Sequence, residues 1–294
     1  MTRIAYLGPE GTFTEAALRG MVEAQLVPLA EFEWLPCGSP AAALEMVRSA
    51  DAAYACVPIE NSIDGSVLPT LDSLATGSPL QIFAEYTLDI AFTIAVRSGV
   101  TDPATIAAYP VARAQVAKWV AKNLPGAEFQ AANSNAAAAV DVADGRADAA
   151  VTTPLAAQRH GLAVLADGVV DEANARTRFV LAGPVGPPPR RTAADRTSVV
   201  LRLDNVPGAL ASALGEFAIR DIDLTRIESR PTRTELGTYI FFVDCVGHVD
   251  DEPVAEALKA LVERCTDVRY LGSWPTGSAA QTQMREGELQ EGGA

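Results

Sequence analysis

The run Gly-Pro-Val-Gly-Pro-Pro-Pro-Arg-Arg-Thr-Ala-Ala-Asp at 183–195 constrains this 294-residue chain more than any other segment. Proline locks φ and has no N–H to donate, so three in a row exclude a helix interior and a central strand. The stretch reads as an extended, semi-rigid linker. It cuts the chain into two units, each long enough to bury its own core.

The two sides differ in rhythm. Before the break, strand patterns fall at 3–7, 52–59, 128–131 and 148–152, and a last one starts at 177. Two more lie within 81–96, where Phe83, Leu88, Ile90, Phe92, Ile94 and Val96 largely alternate. Helical patterns fall between them, from about 15 and at 40–49, 66–74, 112–122, 136–144 and 154–160. Strands alternating with helices predict a parallel α/β architecture. After the break the order is strand, helix, two strands, helix, strand across 197–273. That βαββαβ order predicts a ferredoxin-like α+β unit, whose open sheet edges a second copy could cover. The tail from 275 is rich in Gly, Ser, Glu and Gln and reads as disordered.

Composition excludes several function classes. A net charge of −14 argues against a nucleic-acid partner, which needs a basic surface. No run approaches the ~18 apolar residues of a membrane span. Met1-Thr2-Arg3 leads into a strand pattern rather than an apolar signal segment, so a cytoplasmic location is expected. Cys37, Cys56, Cys245 and Cys265 lack ligand spacing and read as free thiols. There are two histidines. His160 precedes Gly161 at a helix end and His248 sits in a turn, so a His-centred triad or multi-His metal site is not expected. No phosphate loop, nucleophile elbow or zinc-protease motif occurs. The expected chemistry uses no metal, no cofactor and no His base.

Two polar segments stand out. Thr177-Arg178-Phe179 sets a hydroxyl, a guanidinium and an aromatic wall side by side. Glu60-Asn61-Ser62-Ile63-Asp64-Gly65 ends an apolar run with three polar side chains. In addition Thr12, Thr14, Ser62, Ser134, Asn135, Thr152 and Thr153 fall where strands turn into helices. N-capping is the ordinary explanation for each. Together, at the carboxyl ends of parallel strands, such helix starts also make a cradle for an anion. That pattern fits an enzyme and a solute-binding protein equally.

Five segments, in order, resemble the prephenate dehydratase family with a C-terminal ACT domain. Tyr6-Leu7-Gly8-Pro9-Glu10-Gly11-Thr12-Phe13-Thr14 is similar to its opening loop, and Val57-Pro58-Ile59-Glu60-Asn61-Ser62 with Gly65 to its substrate-binding turn. Thr177-Arg178-Phe179 matches its catalytic tripeptide. Gly208-Ala209-Leu210 and Glu228-Ser229-Arg230-Pro231 resemble its phenylalanine-binding segments. Ala175, Tyr109 and Asn135 depart from the family pattern, where Asn, His and Thr are usual.

The resemblance implies a two-lobed, periplasmic-binding-protein-like catalytic domain at 2–183, a linker at 184–196, an ACT domain at 197–274 and a tail at 275–294. It implies conversion of prephenate to phenylpyruvate with loss of CO₂ and water, regulated by L-phenylalanine. Thr177 is then the donor to the departing hydroxyl, and Arg178 a bidentate carboxylate clamp. Glu60, Asn61, Ser62, Phe179, Thr12, Gln115 and Ser134 would bind substrate. Asn205, Gly208, Ala209, Leu210, Glu228, Ser229, Arg230 and Pro231 would take phenylalanine at a contact within a homodimer or homotetramer. Arogenate dehydratase and a non-catalytic amino-acid sensor are the alternatives.

Overall fold

The computed structural model describes residues 2–172, 174–232 and 237–276. The chain starts with β1 (Arg3–Leu7), α1 (Phe13–Glu23), β2 (Glu33–Cys37), α2 (Pro40–Arg48), β3 (Tyr54–Asn61), β4 (Gly65–Ser66), α3 (Leu68–Ala75) and β5 (Leu80–Asp89). It then crosses into a second lobe made of β6 (Phe92–Val96), β7 (Thr105–Ala108), α4 (Pro110–Asn123), β8 (Glu128–Ala131), α5 (Asn135–Ala143), β9 (Ala149–Thr152), α6 (Pro154–Arg159) and β10 (Ala163–Val169). It returns through β11 (Arg176–Pro184).

The first lobe has the order β2-β1-β3-β11-β5, with β4 on β3, and the second β10-β6-β9-β7-β8. Both sheets are mixed rather than parallel throughout. β1 runs parallel to β2 and β3, but β11 runs antiparallel to β3 and β5. β11 enters from the other lobe instead of from a crossover helix, and only a crossover connection enforces parallel pairing. The expected helices are present, and four strands are additional: β4 is the two-residue Gly65–Ser66 paired on β3. β2 carries Pro36 at a sheet edge, β7 is a four-residue Thr-Ile-Ala-Ala, and β10 is an irregular strand containing Asp167-Gly168. None shows a clean two-residue period.

After an extended stretch the chain forms β12 (Asp195–Arg202), α7 (Ala209–Ala218), β13 (Leu224–Pro231), β14 (Tyr239–Val246), α8 (Glu252–Arg264) and β15 (Asp267–Pro275). Their antiparallel sheet has the order β13-β14-β12-β15. Val199, Leu201, Phe217, Val243 and Leu261 build a core between this sheet and its helices. The opposite face is buried too. Val200, Phe242, Leu271 and Trp274 join Val57, Ile59, Leu74 and Val180 of the first lobe in one apolar cluster. Gly272 makes this approach possible: its φ is +131°, and a Cβ there would stand 2.4 Å from the Ile82 carbonyl oxygen.

His248 is fully buried rather than exposed in its turn. Its Nδ1 accepts from the Asp250 N–H at 3.1 Å, so its Nε2 donates to the Pro189 carbonyl at 3.0 Å and pins the linker. β15 runs to Pro275 and the Thr276 N–H bonds the Ala194 carbonyl, so these two residues of the expected tail belong to the C-terminal sheet and its surroundings. The rest of the tail expected to be disordered lies outside the described residues.

Candidate active site

A cleft of about 1320 Å³ separates the two lobes. Helix starts surround it: of the expected residues Thr12, Thr14, Ser134 and Asn135 line it, whereas Thr152 and Thr153 do not, and Ser62 lies between β3 and β4 rather than at a helix start. Thr12 before α1, Ser39 before α2, Tyr109 before α4 and Ser134 before α5 all line the wall. The Thr12, Ser39 and Ser134 oxygens accept from the N–H groups of Glu15, Ala42 and Ala137 at 3.3, 3.1 and 3.0 Å. The Thr12 hydroxyl also donates to the Leu7 carbonyl at 3.0 Å, so Thr12 shapes the wall rather than offering a free donor. The remaining first-turn N–H groups have no intrahelical acceptor and carry the positive end of each helix dipole.

Thr177 and Asn61 sit opposite each other on β11 and β3. Asn61 Nδ2 donates to Thr177 Oγ1 at 2.9 Å. The amide cannot be turned over, because Asn61 Oδ1 already accepts from the N–H groups of Ile63 and Asp64 at 2.8 and 3.0 Å. Thr177 therefore receives one hydrogen bond and keeps its own proton to give. Both residues line the cleft. Phe179 does too, while also packing with Ile4, Tyr6 and Leu181. Phe13 and Phe92, one from each lobe, meet edge to face at 5.5 Å and add an apolar surface suited to a ring.

Gln115 reaches across from α4 and donates to Asp64 Oδ2 at 3.4 Å. Gln115 Oε1 and Asn135 Oδ1 are buried without a protein partner, and both residues line the cleft. Behind the cleft the lobes are tied together. Thr153 Oγ1 donates to the Gly11 carbonyl at 2.5 Å, and Arg159 pairs with Glu10 and Glu15. Gly11, with φ +87°, lets this loop close on Ala156 of α6. Arg159 is the only Arg or Lys on the cleft wall among the described residues.

Three expected substrate contacts are elsewhere. Arg178, Glu60 and Ser62 line a separate cavity of about 230 Å³ on the side facing the C-terminal sheet. The reason is the two-residue period of a strand. Thr177 and Phe179 point to the cleft, so Arg178 between them points away, and Glu60 does so beside Asn61. Arg178 is 8% exposed and bonds Glu60 at 2.9 Å, Glu85 at 3.2 Å and Asp244 at 2.8 Å. Ser62 donates to the Asn174 carbonyl and accepts from the Arg176 N–H, both at 2.8 Å, and so staples its loop. Burial works against the Arg178 charge, but Asp244 and Glu85 outweigh it and push its pKa above the usual value. Burial alone would raise the Asp244 carboxyl, but Arg178 and Arg226 hold it below the usual carboxylate range.

The segments expected to take phenylalanine divide in the same way. Asn205 and Gly208 are exposed at the start of α7, with Ala209 and Leu210 half-buried in its first turn. On β13, Ser229 and Pro231 are exposed. Glu228 and Arg230 instead face the first lobe. Glu228 accepts from Ser66 at 2.8 Å, and Arg230 donates twice to Asp72 at 3.0 Å. Alternation along β13 turns these two residues, expected at a contact between copies, toward the first lobe of the same chain.

Ser39, Asn133 and the Phe13–Phe92 pair were missed as cleft residues. Ser39-Pro40 carried a helix-start signal, and Asn133 lies beside Ser134. Nothing local brings Phe13 and Phe92 together.

Comparison with known proteins agrees with this layout. The family model for prephenate dehydratase matches residues 4–185 and that for the ACT domain matches 197–263. A prephenate dehydratase of Mycobacterium bovis is 69% identical over 96% of this chain and 90% of its own length. Among solved structures, a prephenate dehydratase from Arthrobacter aurescens in complex with L-Phe superposes with a TM-score of 0.86 at 39% identity, covering 99% of this chain and all of its own. A protein described as a novel type of quorum-quenching acylase superposes with a TM-score of 0.83 at 29% identity, covering 94% and 98%.

Proposed function

Because the chain belongs to the prephenate dehydratase family, we propose that it converts prephenate to phenylpyruvate in the cleft between its lobes, under control of L-phenylalanine. The observation that carries the reading is the Asn61–Thr177 bond, which leaves a hydroxyl proton directed at a cleft walled by helix starts and aromatic rings.

Prephenate is a dianion with a ring hydroxyl. The bond from the ring to its carboxylate breaks and releases CO₂. The electron pair passes through the ring, the C–O bond opposite breaks, and hydroxide leaves. Two anionic products, phenylpyruvate and hydroxide, balance the two charges. Aromatisation drives the reaction, so the protein needs to orient the dianion and stabilise the leaving oxygen. Thr177 donates to that oxygen. The carboxylates lie against the N-termini of α1, α2 and α5, which replace the Arg178 clamp. Phe13, Phe92 and Phe179 hold the ring, and Gln115 and Ser134 contact its polar groups.

L-Phenylalanine binds the C-terminal unit at the turn of Asn205, Gly208, Ala209 and Leu210, against the exposed edge strand β13. That edge is where a second copy pairs, giving a homodimer or a larger assembly. Val206, Ile219, Ile227 and Val262, all exposed in one protomer, are the apolar residues such pairing would cover.

The test is ultraviolet detection of phenylpyruvate formed from prephenate, with and without millimolar L-phenylalanine. Turnover that changes with phenylalanine supports both parts. Turnover of arogenate alone would move the assignment to its amino counterpart, and recovery of unchanged prephenate from the folded protein would favour a sensor.

A further inference from the structure

The network behind the cleft carries more than docking. Register pairs Thr177 with Asn61 and, one residue on, Arg178 with Glu60. The two residues that make the donor pair on one face are thus followed directly by two that make an ion pair on the other. Arg178 then reaches Asp244 on β14, which also accepts from Ser198 Oγ at 2.7 Å. Glu85 closes the cluster by accepting from Arg178, from Arg196 at 2.6 Å and from Trp274 Nε1 at 3.0 Å. Three elements of the first lobe and three of the C-terminal sheet therefore meet on one guanidinium and its partners. The β11–β3 register also shifts between Arg178 and Phe179, next to this contact.

Arg226 supplies an alternative arrangement. Its side chain is 6% exposed, yet its Nε and Nη1 have no hydrogen-bond partner. Nη1 lies 3.9 Å from the same Asp244 oxygen that Arg178 holds at 2.8 Å. Asp244 thus has one guanidinium in hand and a second, only partly satisfied, at ion-pair distance about one ångström farther away. One bonded guanidinium and a second at ion-pair distance give this buried carboxylate two possible partners, the kind of alternative a coupling mechanism requires. Arg226 is on β13, and its Nη2 donates to Ser66, a cleft residue.

We propose that Arg178 is a positioning residue whose bond to Asp244 lets the C-terminal domain set the place of the Thr177 hydroxyl, with Arg226 as the alternative partner that releases it. This rests on the dehydratase reading above and deepens it. A swing of the Arg226 side chain onto Asp244, which already stands opposite it in the β13–β14 ladder, transfers Asp244 to Arg226, frees Arg178, and loosens β11 where Thr177 stands.

The experiment uses the full chain with prephenate and L-phenylalanine, and compares Asp244→Asn with Arg226→Gln. Asp244→Asn keeps the shape and removes the charge. Its kcat should fall roughly 5- to 150-fold, the usual span of a coupling free energy, with KM unchanged. Arg226→Gln should keep kcat and lose the response to phenylalanine. Amide exchange over 176–184 should quicken in Asp244→Asn alone. A purely structural role would not separate the two variants in this way. If Asp244→Asn does not fold, Arg178→Lys replaces it with the same expectations, since it keeps the charge and loses the fork. Wild-type responses to phenylalanine in both variants would overturn the proposal. So would a raised KM with intact kcat in Asp244→Asn, which would return Arg178 to substrate binding. If the wild type does not turn over prephenate, the reading of the reaction fails, and exchange over 176–184 decides the linkage alone: no change in Asp244→Asn overturns it.

Discussion

The two faces of β3 and β11 differ in almost every physical respect. Toward the cleft they present Asn61, Thr177 and Phe179, neutral groups beside helix starts and aromatic rings. Toward the C-terminal sheet they present Glu60 and Arg178, charges enclosed with Glu85, Asp244 and two further arginines. The cleft face keeps hydrogen-bonding capacity in reserve, at the Thr177 hydroxyl, Gln115 Oε1 and Asn135 Oδ1. The other face uses most of its capacity internally, because a buried charge left unpaired is costly. A binding site and a structural joint can therefore share one pair of strands, separated only by the direction of alternate side chains.

Substitutions on the two faces should fail in different ways. The largest effect is expected from Thr177→Ala, which should lower kcat roughly 10²–10⁴-fold while leaving the melting temperature near wild type. A nearly full rate would remove Thr177 from the reaction. Asn61→Ala takes away the donor to Thr177 and the acceptor for two loop amides. The loss of about 1–3 kcal/mol should appear as roughly a 10- to 100-fold slower turnover, read from initial rates. Gly272→Ala acts on the opposite face. Its new methyl would press on the Ile82 carbonyl, so denaturant titration should show stability lower by about 1–3 kcal/mol.

The smallest effects are those of pH. Asp244 is held below the usual carboxylate range by Arg178 and Arg226 against its burial. Its folded-state pKa lies under the unfolded value of about 3.9, so its stabilisation is fully present above that value. It is lost as pH falls through the depressed folded value. Melting temperatures measured down this range should drop more steeply for wild type than for Asp244→Asn. Turnover should stay nearly flat from about pH 6 to 9, since Thr does not titrate there. His160, the C-cap of α6, reaches the cleft wall and is its one imidazole among the described residues. A clear bell centred near pH 7 would remove Thr177 from the donor role.

Much of the fold was legible because it is local. Pro-Pro-Pro at 187–189 marked the linker, and the βαββαβ order after it was read with each element nearly in place. Helix starts at Thr12 and Ser134 could be seen because capping is a short-range rule. The strands that escaped, β2, β4, β7 and β10, are short or irregular and depend on a sheet already formed beside them. For the site, the tripeptide located the right strand, but treating Thr177-Arg178-Phe179 as one cluster ignored the two-residue period. That signal was in the sequence and would have separated Arg178 from its neighbours.

Local sequence was enough to locate the proline-rich break, most of the elements, and the side chains able to donate, accept or carry charge, because these follow from covalent structure and from neighbours a few residues apart. It took the assembled fold to show that Asn61 fixes the Thr177 hydroxyl across 116 positions, that Arg178 belongs to the joint with Asp244, and that Phe13 and Phe92 share a wall. Those outcomes depend on strand register and on the closing of two lobes and a third sheet around common strands, and no local pattern encodes such distances.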